Sequence, residues 1–172
     1  MLNSLMIFAQ NQYMTRSGQI DFFSSTPIED IKAINQSVGS VLDVKTGDFV
    51  FEVLMKSFQF KNALMQEHFN EKYVESDDYP TATFYGKIQN ITSISLNKDI
   101  EKPVIVSGTI KIHGVEQPIR AEGILKFQNN QIIASSSFIL KPDDFQIKIP
   151  SVVRKNIAKE IIINVNIKLN PM

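Results

Sequence analysis

The feature that most constrains this chain is a period-two alternation of branched apolar residues with polar ones. It is cleanest over Lys159–Leu169. There Ile161, Ile163, Val165, Ile167 and Leu169 share one side, Glu160, Asn164, Asn166 and Lys168 the other, and Ile162 is the one apolar exception. A repeat of two suits a pleated strand with one buried face and cannot line one face of a 3.6-residue helix. The apolar residues are also of the strand type: 24 Ile, 12 Val and 12 Phe against 9 Leu and 7 Ala. Branched and aromatic side chains fit a half-buried pleated surface, whereas helical proteins are built on Leu and Ala. The expectation is a mostly antiparallel β protein. Its 172 residues suit one domain, able to bury a core without disulfide or metal staples.

From Tyr13 the alternation recurs between turn residues. Tyr13–Arg16 and Gln19–Ser24 flank Ser17-Gly18, a hairpin signal, with Ile20, Phe22 and Ser24 on one face and Asp21 and Phe23 on the other. Thr26-Pro27 followed by Glu29-Asp30 has the chemistry of a helix start. With Ile28, Ile31 and Ile34 at three-residue spacing, it predicts a helix of one to two turns over Ile28–Asn35. Ser37–Asp43 and Asp48–Phe60 read as strands about a Thr46-Gly47 turn. In the second, Phe49, Phe51, Val53 and Met55 face away from Glu52 and Lys56. Ala63–Tyr73 breaks the period and suits a short amphipathic helix or structured connection.

Thr81–Ile88, Pro103–Ile112, Gln117–Phe127 and Gln131–Leu140 are further strands, with tight turns at His113-Gly114-Val115-Glu116 and Asn129-Asn130. Gln89–Lys102 is a weakly patterned hairpin or loop. Pro142-Asp143-Asp144 opens a loop toward Phe145–Ile149, and Pro150–Ala158 reads as a helical turn with Arg154, Lys155 and Lys159 exposed. About eight long strands must cover their apolar faces in a sandwich or a closed barrel, and closure removes hazardous edges. Met1–Gln10 carries an apolar run, Leu5 to Ala9, far too short to span a bilayer. It is similar to the tail of a secretory signal peptide with Ala9 at a cleavage edge, but the basic n-region is missing, and a frayed apolar end reads equally well. The expected division is residues 1–10 as a signal remnant and 11–172 as the barrel.

Eighteen basic residues balance eighteen acidic ones, so a nucleic-acid partner, which calls for a basic surplus, is not expected. The absence of cysteine excludes disulfides, thiol catalysis and thiolate metal sites, and two histidines cannot build a three-histidine site. Glu67-His68 with Glu71 is the obvious metal or acid–base candidate. Zinc sites on one helix want two histidines four apart, however, and the residue four after His68 is Lys72. His113 lies in a glycine-containing turn. Asp77-Asp78 and Asp143-Asp144 are adjacent loop carboxylates of the turn-forming kind. No phosphate loop and no nucleophile elbow is present. Neither catalytic residues, a metal site, a cofactor nor an enzymatic activity is therefore expected. What remains is the inward face itself: Phe22, Phe49, Phe51, Val53, Met55, Phe84, Phe138, Ile163 and Val165 are the candidate lining of a barrel interior. Such residues either fill a small barrel or line a cavity for one ligand, and alternation alone does not choose.

Three stretches carry a resemblance. Ser57-Phe58, then Glu67-His68-Phe69, then Tyr79-Pro80-Thr81-Ala82-Thr83-Phe84 follow one another in the order and spacing of the YceI-like family. VSGTIKIHGVEQPI, Val106–Ile119, is similar to that family's central hairpin, and FILKPDDFQIKIP with the alternating last strand to its ending. The chain departs at Arg16-Ser17-Gly18, at Leu64–Phe69, and at Lys141-Pro142, where the family usually carries a His-Ser step, an Arg-Asp-x-His-Leu connection and an arginine, respectively.

The resemblance implies an all-β fold, an extended eight-stranded antiparallel lipocalin-like barrel with one or two short helices. It further implies non-catalytic binding or carriage of an amphiphilic long-chain lipid, of polyisoprenoid or quinone type, in the apolar interior. The expected setting is periplasmic or secreted, with room for a homodimer and a transient membrane contact. Lys61, Gln66, Arg154 and Lys155 are the candidate head-group contacts. The competing expectation is a filled barrel serving as an interaction module without a small ligand. A third, an isomerase or cyclase on the same barrel, needs titratable groups inside it, and the inward faces carry almost none.

Overall fold

The computed structural model describes residues 11–91 and 100–172. The expected signal remnant at residues 1–10 and most of the loop before Lys102 lie outside them. Among the described residues nine strands form in chain order: β1 (Gln12–Ser25), β2 (Asp30–Asp43), β3 (Asp48–Leu54), β4 (Gln59–Phe60), β5 (Thr81–Ile88), β6 (Glu101–Ile112), β7 (Val115–Gln128), β8 (Gln131–Leu140) and β9 (Ile161–Pro171). All neighbours are antiparallel. The sheet runs β1-β9-β8-β7-β6-β5-β3-β2, and pairing of β2 back to β1 closes it into an eight-stranded barrel; β4 is a two-residue addition to β2. Closure answers the edge problem posed by such long strands.

Three expectations need correction. Tyr13–Ser24 is not a hairpin. β1 runs straight through Ser17-Gly18, where its register with β2 shifts between Thr15 and Gly18 and again before Ile20. This is a β-bulge, and a Cβ on Gly18 would sit 2.5 Å from Ile167 Cγ2. The glycine marks close approach rather than a turn. Nor is there a helix over Ile28–Asn35, because β2 begins at Asp30. Thr26 does cap, as its Oγ1 accepts from the Ile28 and Glu29 amides, but its own amide donates to the Glu29 carbonyl and the chain reverses. The same cap chemistry builds a hairpin turn, because pairing from Ser25–Asp30 onward satisfies the backbone that a helix would otherwise occupy.

The third correction concerns Asp48–Phe60, which is broken at Met55–Ser57 by a 3₁₀ turn. Fully buried Asn35 holds the break: its Nδ2 donates to Leu54 O at 2.9 Å and its Oδ1 accepts from the Ser37 amide. The β6–β7 and β7–β8 turns are two residues long. His113-Gly114 and Asn129-Asn130 all have positive φ, the geometry that suits the twist of flanking strands.

The interior divides along the barrel axis. At the end carrying the β2–β3 and β7–β8 turns, Tyr13, Leu42, Phe49, Ile88, Leu125, Ile132 and Leu169 form a buried plug. The opposite end carries the β1–β2 turn, the helix α1 (Ala63–His68) with its π-helical continuation Phe69–Tyr73, the β6–β7 turn and the long β8–β9 connection. There a second cluster centred on Ala33, Val38, Val53, Met55, Phe58 and Val74 lies to one side. The space between is not filled.

Candidate functional site: an apolar cavity

A cavity of about 480 Å³ occupies the barrel between the plug and the α1 end. All nine candidate side chains stand on its wall: Phe22 from β1, Phe49, Phe51 and Val53 from β3, Met55 after it, Phe84 from β5, Phe138 from β8, and Ile163 and Val165 from β9. Their strands alternate as the sequence does, so inward residues of different strands meet around one axis. A packed barrel of this strand number would be filled by its own side chains. Here two facing glycines on adjacent strands, Gly86 and Gly108, thin the wall. The Phe84 ring leans across both, so that a Cβ on Gly86 would lie 2.3 Å from its Cζ and one on Gly108 2.8 Å from its Cε2. The ring is thereby drawn against the wall and away from the axis.

The open end is framed by elements whose role the period-two reading did not show. The α1 helix is capped by Asn62, whose Oδ1 accepts from the Leu64 and Met65 amides. It is seated by Phe69, whose ring lies 5.5 Å from Phe22, 5.0 Å from Phe60 and 5.7 Å from Phe58. Leu64 both lines the cavity and is 56% exposed, so the cavity reaches the surface there. Across from it, Pro142, Phe145, Ile147, Ile149, Val153 and Ile157 of the β8–β9 connection form the other lip. Phe145–Ile149 and Val153–Ile157 carry spaced apolar residues that signal burial, but irregular backbone leaves no periodicity from which to infer their direction.

One side chain ties these lips together. His113, in the β6–β7 turn, faces Phe145 O through Nδ1 at 3.1 Å and Glu75 Oε2 through Nε2 at 2.6 Å, with the Tyr79 ring 4.5 Å away. It spans the segment after the π-helical turn and the β8–β9 connection. Gln117 Nε2 donates to Asp144 O beside it.

Polar residues on the cavity wall are few: Ser24, Glu29, Asn62, His68, Tyr73 and Asn156 toward the open end, and Thr83, Ser135 and Ser136 on strands β5 and β8. Asn156 Nδ2 donates to Glu29 Oε2 at 3.1 Å, and Ser24 Oγ accepts from the Ala158 amide. His68 and Tyr73 have no hydrogen-bond partner among the described residues. Burial pushes the Tyr73 hydroxyl up from its ordinary value, so it stays a neutral donor.

None of the four candidate head-group residues lines the cavity. Gln66 Oε1 accepts from the Phe60 amide, Arg154 is bound through its guanidinium to Asp143, and Lys61 and Lys155 are exposed. The described lining holds no lysine and no arginine at all. Of the other loop carboxylates, Asp77 pairs with Lys56 and Asp143 with Arg154, and none lines the cavity. No group of three potential metal ligands occurs among the described residues.

A closed eight-stranded antiparallel barrel, plugged at one end and hollow toward the other, is a lipocalin-like fold. Residues 8–169 match the YceI-like domain, and the chain belongs to that family. Among solved structures it is similar to a polyisoprenoid binding domain from Saccharophagus degradans implicated in plant cell wall breakdown, at 13% identity and a TM-score of 0.83 over 95% of this chain and 99% of that one. It is also similar to Burkholderia cenocepacia BcnA, at 12% identity and a TM-score of 0.69 over 88% and 95% of the two chains. The Campylobacter jejuni YCEI protein follows at 16% identity and 0.62 over 80% and 83%. At these identities the likeness is one of fold. No curated protein shows significant similarity in sequence.

Proposed function

We propose that this chain binds and carries an amphiphilic long-chain lipid, of polyisoprenoid or quinone type, in the barrel and performs no chemistry on it. The observation that carries the reading is the hydrocarbon-lined cavity of about 480 Å³, within the roughly 300–1,000 Å³ of small-molecule sites. Family membership and a structural neighbour described as polyisoprenoid-binding support it. A filled barrel acting as an interaction module needs that space packed, and it is not.

The energetics suit a carrier. Each buried methylene contributes roughly 0.8 kcal/mol, so a forty-carbon tail nominally gains on the order of 30 kcal/mol, beyond the practical ceiling of about 20 for any non-covalent complex. Ordering a flexible tail cancels much of this. The tail's real alternative is a membrane, where it is already dry. The net preference is small, which allows loading and release through transient membrane contact. A periplasmic or secreted setting belongs to the same reading and rests on the signal-like Met1–Gln10. It predicts a mature N-terminus near Gln10 when the protein from a fractionated cell is sequenced. A homodimer is read out by light scattering on the purified protein.

Binding is tested by heat. A long-chain isoprenoid alcohol at a hundredfold excess over its Kd stabilises the folded state by about 2.7 kcal/mol, a rise in Tm of about 5–10 °C. A folded Phe51→Glu variant, with a charge in the cavity wall, loses that rise. No rise with any long-chain isoprenoid, or an equal rise in the variant, contradicts the reading.

A further inference from the structure

We propose that the amphiphile this cavity selects ends in an uncharged polar group (hydroxyl, carbonyl or amide) and that phosphate-headed lipids are discriminated against. The inference rests on the lipid-binding reading and names the head chemistry of the same site.

Away from the mouth the wall is hydrocarbon apart from Thr83, Ser135 and Ser136, the last already donating to Glu122 O, so a ligand's polar end lies at the mouth. What the mouth offers is hydroxyls, amides, one imidazole and one carboxylate. Tyr73 brings a phenol and His68 an imidazole, both without partners among the described residues, and Asn62 brings an amide whose oxygen already caps α1. From the opposite lip come the Ser24 hydroxyl and the Glu29 carboxylate, the latter held by Asn156. A hydroxyl or carbonyl head can donate to or accept from this set. A phosphate finds no lysine or arginine on the described wall and meets the Glu29 carboxylate instead. Arg154, the guanidinium on the β8–β9 connection, is already engaged by Asp143. A charge taken from water without a counter-charge loses more solvation than neutral hydrogen bonds return, and a like charge adds to the loss. Selectivity therefore comes from the Glu29 carboxylate the mouth holds and from the lack of lysine and arginine on the described wall.

The test compares geranylgeraniol with geranylgeranyl monophosphate, which share one tail and differ only in the head. Both are titrated into the intact protein by displacement of a fluorescent lipid probe at one fixed pH. The expected result is at least about tenfold tighter binding of the alcohol in the wild type, and loss or reversal of that ratio in Glu29→Lys or, should that variant not fold, Asn156→Lys. A general preference of apolar pockets for the less soluble molecule would survive the added lysine. Phosphate binding equal to or tighter than the alcohol, or an unchanged ratio in a folded lysine variant, overturns the inference and leaves lipid binding standing. Failure of both molecules to bind overturns the lipid-binding reading and this inference with it.

Discussion

At the scale of single residues, the two ends of the barrel respond differently to truncation. Leu42 is fully buried in the plug, so Leu42→Ala removes transfer energy and leaves a void, costing about 2–5 kcal/mol. Phe138 stands on the cavity wall and already borders empty space. Phe138→Ala widens an existing hollow and costs less than the Leu42 change, although it deletes the larger side chain. Chemical denaturation of both variants checks this, and equal or reversed costs would mean that the cavity is packed in solution.

Asp43 gives a prediction in pH. Its carboxylate accepts from the Thr46 and Lys45 amides, which hold it below its ordinary value. A depressed folded value means that the contribution is fully present above the unfolded value of about 3.9 and is lost as pH falls through the folded one. The group is open to solvent, so the effect is under about 1 kcal/mol. Asp43→Asn keeps an acceptor oxygen and should flatten stability below about pH 4 while leaving it nearly unchanged at neutrality. An unaltered acid profile contradicts the assignment.

At the scale of elements, the period of two showed which strands exist and which way each points, because a strand buried on one face leaves alternate residues no freedom. All nine inward candidates lie on the cavity wall for that reason. Where backbone partners decide the outcome, the sequence misleads. Thr26 caps a turn or a helix with the same oxygen, and only pairing of Asp30 onward with β1 selects the turn. Gly18 signals a break, but the contact that requires it, Ile167, is almost 150 residues away. The head-group region was illegible for a related reason. Basic residues on irregular connections attract attention by charge, yet Arg154 is turned toward Asp143, while Glu29, Tyr73 and Asn156 reach the mouth through folds of loops that have no period.

The same connections explain how the mouth is held. His113 joins the two lips through its two ring nitrogens, so His113→Ala severs both ties while leaving the cavity wall in place. It should speed exchange of bound lipid, measured by transfer of a fluorescent lipid to vesicles, several-fold more than it weakens equilibrium binding. Unchanged exchange would show that the lips are fixed by packing alone, through Phe69 and Phe145.

At the scale of the whole molecule, β2 paired back to β1 closes the sheet, a plug of large side chains seals one end, and facing glycines with a leaning phenylalanine keep the middle open. The hollow is thus built into the wall, and filling it from the wall should abolish its use. Ala121 of β7 lies on the cavity wall, so Ala121→Phe sets a ring into the hollow. The predicted outcome is a folded barrel that gains no heat resistance from isoprenoid alcohol.

The most direct measurement is native mass spectrometry of the gently purified wild-type protein, with solvent extraction of the same sample. The account predicts a discrete mass increment that the extract identifies as one long-chain amphiphile and that is missing from Ala121→Phe. Repeated recovery of the bare chain mass, together with no uptake of added isoprenoid lipid, would contradict it.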